Sequence, residues 1–267
     1  MTRRPPISII VLMVVIVILL FVGLLFLPIR QFVGSRLFVA DGRNLLQNGS
    51  FESGDGADTA DERFVNGPSN CKNLCDGSRT IDGWEVSGKG GGPSATCSNG
   101  KVAGDAVCWV INPPECPPQS PPCNGFGVGA QHGNRFVDLT GFANRPPADY
   151  GTVSQTVPTE IGKTYQLSFW IGSSSDPRFA AEGLGVSVGI PGITSRFFSA
   201  GSPQVVSQWV PQGPSDSPFR FKAVSQTTTL KFQGAVSQGK GSLYIGIDNV
   251  SLEKVCFIVV AALFGCP

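Results

Sequence analysis

The stretch TYQLSFWIG, residues 164–172, alternates strictly, with Tyr165, Leu167, Phe169 and Ile171 on one side and Gln166, Ser168 and Trp170 on the other. Successive side chains of a β-strand point to opposite faces, so this two-residue period predicts a strand with one buried and one solvated face. FRFKAV (219–224) and TTTLKFQGAV (227–236) repeat the pattern, the latter with Leu230 and Phe232 on one face. NRFVDLTGF, GTVSQTVP and GLGVSVGI read as further strands. Turn formers punctuate them throughout, with 34 Gly and 21 Pro among 267 residues. No stretch after the first 28 residues shows helical periodicity. The expectation is an all-β, antiparallel β-sandwich or jelly roll.

The amino-terminal segment differs in kind. Arg3 and Arg4 precede ISIIVLMVVIVILLFVGLLFLP, residues 7–28, in which nothing is charged. As a helix it is long enough for a hydrocarbon core of about 30 Å. It lacks a clear small-x-small cleavage site, so it reads as an uncleaved signal anchor, an N-terminal transmembrane helix, with a cleaved, secreted form as the alternative. Residues 29–43 then form a stalk and residues 44–254 the sandwich. Charged residues make up 15% of the chain and the formal net charge is +1, which gives no electrostatic basis for nucleic-acid binding.

Eight cysteines follow the anchor: Cys71, Cys75, Cys97, Cys108, Cys116, Cys123, Cys256 and Cys266. An even number behind an export signal predicts disulfides and an extracytoplasmic, cell-surface location. Zinc is the rival, but no CxxC pair occurs and His132 is the only histidine. Pairing between sequence neighbours (71–75, 97–108, 116–123, 256–266) is the simplest of roughly a hundred full pairings. Residues 66–126 hold six of these cysteines, a GKGGG run and the Pro-rich NPPECPPQSPPCNG. They read as a disulfide-pinned insertion lying on the sandwich, either shielding it or shaping a binding site. The closing VCFIVVAALFGCP, 255–267, is an apolar tail too short to span a bilayer.

NLLQNGSFE (44–52), IDGWEV, CWVI, NRFVDLTG, GTVSQTVPTEIGKTYQLSFWIG, TTTLKFQG and IDNVSL occur in the order seen in the domain-of-unknown-function family 642. The chain most resembles that family's exported "choice-of-anchor C" branch. More distantly it is similar to family-four and family-twenty-two carbohydrate-binding modules, which share a galactose-binding-like jelly roll. The resemblance implies an antiparallel sandwich whose first and last strands are neighbours. It also implies binding of cell-wall or extracellular polysaccharide. Related modules carry one structural Ca²⁺ where those strands meet. Glu52 and Asp248 fall at the matching positions, with a backbone carbonyl near Ser50 as a further ligand. Ca²⁺ takes about 6–8 oxygen ligands, and buried acids need such a partner or backbone N–H groups in its place.

Sugar rings stack on aromatic side chains, and alternation places Trp170 beside Gln166 and Ser168 on the face opposite the core. Tyr244 and Trp109 are further candidates, whereas Trp84 and Trp209 read as packing residues. His132 has no motif partner for a hydrolase triad, and the few acids form no glycosidase pair, so no enzyme is expected. The function expected is non-catalytic glycan binding by a membrane-anchored domain. The alternative is a structural or protein-interaction domain of the cell envelope.

Overall fold

The computed structural model describes residues 38–57, 59, 62, 64–65, 71–88, 107–111, 129–139, 150–173, 184–199, 209–213, 219–236 and 245–257. The apolar segment 7–28, the tail beyond residue 257, Tyr244 and Cys97, Cys116, Cys123 and Cys266 lie outside them. Among the described residues no helix is long and apolar enough to cross a membrane.

Strands are numbered in chain order. One sheet runs β11 (Trp209–Gln212), β8 (Thr164–Ser173), β14 (Ile245–Phe257), β6 (Arg135–Asp138), β5 (Val107–Ile111), β3 (Cys71–Leu74) and β2 (Phe64–Val65). On it, β1 (Phe38–Ala40) pairs with β14 and β12 (Phe219–Lys222) with β8. The second sheet runs β10 (Thr194–Ser199), β9 (Leu184–Ile190), β13 (Thr227–Val236), β7 (Thr152–Pro158) and β4 (Glu85–Ser87). Every described pairing is antiparallel. The alternation in 164–172 holds: Tyr165, Leu167, Phe169 and Ile171 are buried, while Gln166, Ser168 and Trp170 are only half-buried.

The buried faces of the two sheets meet in one core. A chain of rings crosses it: Phe51 to Trp84 at 5.0 Å, Trp84 to Phe232 at 5.9 Å, Phe232 to Phe169 at 5.3 Å, Phe169 to Phe198 at 5.1 Å and Phe198 to Phe219 at 5.3 Å. Phe169 and Phe219 come from the first sheet, Phe232 and Phe198 from the second. Such pairs contribute about 0.5–1.5 kcal/mol each beyond area burial, so the rings tie the layers together.

Three expectations are corrected. Residues 44–52, which the resemblance matches to a first strand beside the last, do not form a strand. The Asn44 side chain accepts from Leu46 N and Leu252 N and donates to Val250 O, standing in for ladder bonds along β14. Asn48 and Phe51 then take positive φ (52° and 58°) and turn the chain away. Gly49 passes so close to β14 that a Cβ would collide with Val250 O. Side chains that offer the backbone local partners favour turns over ladders, and NGS does so here. Among the described residues the first strand is β1, inside the stretch read as stalk.

Residues 66–126 are not simply an overlay. They supply β3 and β5 to one sheet and β4 to the other, and Leu74, Ile81, Trp84, Val86, Val107 and Trp109 join the main core. The apolar 107–111 segment outweighs the Gly/Pro-rich composition around it. Finally, Cys71 pairs with Cys108, not Cys75, with Cα atoms 5.7 Å apart, a separation suited to a disulfide. Antiparallel pairing of β3 with β5 brings the two together across a separation of 37 residues. Closing such a loop stabilises by about 3–4 kcal/mol on chain-entropy grounds. Cys75 and Cys256 are also disulfide-bonded, to partners outside the described residues.

Phe232, wholly buried amid the ring chain, and Phe197, 40% exposed, make a direct contrast. Phe232→Ala is expected to cost about 3–5 kcal/mol in denaturant unfolding, and Phe197→Ala no more than about 0.5 kcal/mol.

Candidate functional site

Glu52 and Asp248 meet at the turn that leads into β6. Glu52 Oε1 accepts from Asn134 N (3.0 Å) and Arg135 N (2.8 Å). Asp248 Oδ2 accepts from Gln131 N (2.8 Å) and His132 N (2.9 Å), and its Oδ1 from Asn249 N (2.6 Å). Gly133, at φ 66°, lies against the Glu52 carboxyl, which a Cβ would strike. Two carboxylates from distant parts of the chain therefore grip one five-residue turn. The backbone N–H groups foreseen as the substitute for a metal are in place.

They do not fully compensate Asp248. It is wholly buried, and no cationic side chain pairs with it among the described residues. Burial pushes its pKa up to about 8 and the nearby Glu52 charge adds to the rise, against the pull of the three N–H donors. Arg135 sits 3.9 Å over the Trp109 ring. Its pKa is lowered by burial and partly restored by the Glu52 charge. A hard cation suits this donor set through the carboxylate oxygens of Glu52 and Asp248. The described residues hold no group of three His, Cys, Asp or Glu side chains able to complete it, so further ligands would be carbonyls such as that near Ser50, or water.

The sugar-site candidates separate. Trp170 is half-buried on the outer face of the nine-stranded sheet, in register with Pro211 and Asp248. Gln166, also half-buried on that face, is held by Arg220 Nε at 3.0 Å. Trp109 is a correction: it is wholly buried and donates from Nε1 to Phe51 O at 2.8 Å, because it faces the inner side of β5. It offers no stacking surface. Trp84 is core, as expected. Trp209 packs over Gly172 and Gly246 and edge-on against Phe136 at 5.5 Å. Phe136, Val110, Ala130 and the Cys71–Cys108 bridge form a second apolar cluster on that outer face.

The outer face of the five-stranded sheet was not singled out from sequence. Register aligns Glu85, Ser154, Lys231, Gly189 and Ser195 in one row across all five strands. The next row is Ser87, Thr152, Gln233, Ser187 and Phe197. Four inter-strand steps make each row roughly 19 Å long. The Phe197 ring lies over Gly185, which has no side chain to displace it. Thr156 and Thr229 share a hydroxyl hydrogen bond of 2.7 Å. At the β4 edge the face opens into a pocket of about 360 Å³ lined by Arg79, Trp84, Glu85, Ser154, Gln155 and Thr156. Arg79 and Glu85 pair across its mouth at 2.8 Å. The signal was present in 227–236, whose polar positions (Thr227, Thr229, Lys231 and Gln233) form the central strand of this face.

Fold and site thus define an antiparallel β-sandwich with one apolar-capped and one polar outer face. No family model and no curated protein matches the chain. Among solved structures it is similar to a family-61 carbohydrate-binding module in complex with β-1,4-galactotriose, at 17% identity and a TM-score of 0.40, covering 79% of this chain and 99% of that one. It is also similar to a family-4 carbohydrate-binding module, at 14% identity and TM-score 0.29, covering 78% and 99%. A third is the CBM22-1 xylan-binding domain of Paenibacillus barcinonensis Xyn10C, at 11% identity and TM-score 0.33, covering 67% and 90%.

Asp248 gives a pH dependence of defined sign. Its folded pKa lies above the 3.8 of the free group, so the folded state holds a proton that the unfolded chain releases. With metal chelated, stability is expected to fall as pH rises from about 4 through about 8. Asp248→Asn flattens that slope in thermal melts taken across the range.

Proposed function

We propose that the protein is a non-catalytic glycan-binding module, held at the cell surface by the apolar span 7–28. The observation that carries this reading is the polar face of the five-stranded sheet. Hydroxyl and amide side chains cross it in rows, with a half-exposed ring at one edge and a pocket at the other. Pyranoses present ring C–H faces and outward hydroxyls, which such a surface complements with one aromatic plate and many short hydrogen-bonding groups. Nothing in this arrangement calls for chemistry on the ligand.

The half-buried Trp170 supports a second location on the opposite sheet, where Gln166 and Ser168 share its strand face. Polysaccharide pull-down with the full chain in detergent separates the two. Phe197→Ala is expected to weaken binding about three- to tenfold, as for loss of one ring at the edge of the contact, while Trp170→Ala leaves it unchanged. The reverse result moves the site to the nine-stranded sheet. Failure of the wild type to bind any polymer favours the protein-interaction reading, and sugar release from the polymers would make it a hydrolase.

One structural Ca²⁺ held by Glu52 and Asp248 belongs to the same reading. It would supply the positive charge that buried Asp248 lacks and fix the turn 131–135 against residues 44–52. A chelator is expected to lower the melting temperature, with added Ca²⁺ restoring it. An unchanged melt in excess chelator refutes the ion. Detergent-dependent extraction of the uncleaved chain tests the anchor.

A further inference from the structure

Resting on the proposed polar-face site, we infer that the glycan recognised there is acidic, its uronate carboxylate or ester sulfate meeting the ammonium of Lys231. Lys231 sits on β13, the middle strand of the five, and projects from the outer face. It is exposed, and no hydrogen bond or ion pair engages it among the described residues. Its neighbours on the face are neutral: Ser154 and Gly189 across the strands, Thr229 and Gln233 along its own. A Cβ at Gly189 would meet nothing nearer than the Lys231 Cβ at 4.0 Å, so the surface beside the lysine is an open notch.

The acid in the same row is Glu85, two strands away. It is already paired with Arg79. Ser154 both lines the pocket and lies opposite Lys231, and directly opposed Cβ atoms stand about 5 Å apart. Lys231 therefore stands one strand away from the pocket's lining. A chain lying along the row would meet Lys231 unpaired and Arg79 in an exposed ion pair, which such pairs hold only weakly. Among the described residues the face offers one uncommitted positive charge and no uncommitted negative one. The protein's net charge of +1 is too small to attract polyanions at a distance, so a preference for acidic polymers would have to arise from local charge such as this one.

The test is affinity electrophoresis of the detergent-solubilised full chain through gels holding polygalacturonate, a sulfated galactan, neutral β-galactan or xylan. Stronger retardation by one or both acidic polymers, lost as salt is raised from about 20 mM to about 300 mM, is the expected result. The two acidic gels tell carboxylate from sulfate. Lys231→Gln should cut the acidic-polymer affinity about two- to fivefold at low salt, Lys231→Arg should retain it, and Lys222→Gln on the opposite sheet should change nothing. Because Lys231 is exposed, thermal melts of all three variants should match the wild type. Equal retardation by neutral and acidic gels, or a Lys231→Gln protein that behaves as wild type in both, overturns the inference and leaves glycan binding standing. No retardation in any gel overturns both.

Discussion

The sandwich turns on a single demand, that the long strand β14 have both of its hydrogen-bonding edges occupied. One edge is taken by β8. The other is covered in three pieces: β6 against residues 246–247, the 44–49 segment against 250–252, and β1 against 255–257. Unpaired buried backbone groups are costly, and an open edge invites association with another chain. The register break between Asp248 and Ser251, with Asn249 at φ 49°, is where the second edge passes from β6 to the 44–49 segment. The bulge turns Asp248 toward the turn before β6, so the acid's burial follows from the way the edge is closed.

Side chains rather than ladders complete this closure. Asn44 bonds β14 on both sides of its amide. Gln155 of β7 clips Gln47 in the same fashion, accepting from its N and donating to its O. Glu52 and Asp248 do the equivalent for 131–135. The amide clips are neutral and are satisfied where they lie. Asp248 carries its carboxyl into a buried setting, where even three N–H donors leave it preferring its protonated form near neutrality. The joint between the chain's distant ends is therefore its electrostatic weak point, and the place where a cation or a proton has most to contribute.

Period-two alternation made β8, β12 and β13 readable, because each buries one face and alternation is the direct imprint of that, whereas β10 and β11 carry too few apolar positions to show it. The meeting of Glu52 with Asp248 was implied only by the family resemblance; the structure shows both acids on the backbone of one turn. What escaped reading depended on contacts distant in sequence. NLLQNGSFE has the composition of a strand, but Gly49 is required by the approach of Val250, a residue 201 positions away. Cys71 joins Cys108 only because β3 and β5 happen to pair. Trp109 alternates correctly, yet which side faces inward depends on the sheet that covers it. The polar face was hidden for the same reason: it is a product of register between five strands, and no one of them shows it.

The two outer faces are not equivalent, and the difference bears on ligand binding. On the nine-stranded sheet a disulfide, Phe136 and Trp209 already bury apolar surface, and Gln166 is committed to Arg220. On the five-stranded sheet the outward residues are mostly Ser, Thr and Gly, with single Gln, Lys and Glu side chains. Short side chains lose little rotamer freedom when a ligand fixes them, so each hydrogen bond they form keeps more of its free energy than one from a long flexible chain. The strands hold them at fixed spacing before any ligand arrives, and the Thr156–Thr229 bond shows hydroxyls already oriented. A rigid face of many short, pre-placed polar groups suits an extended polymer better than a compact ligand, because each row offers one side-chain position about every 4.8 Å across the strands.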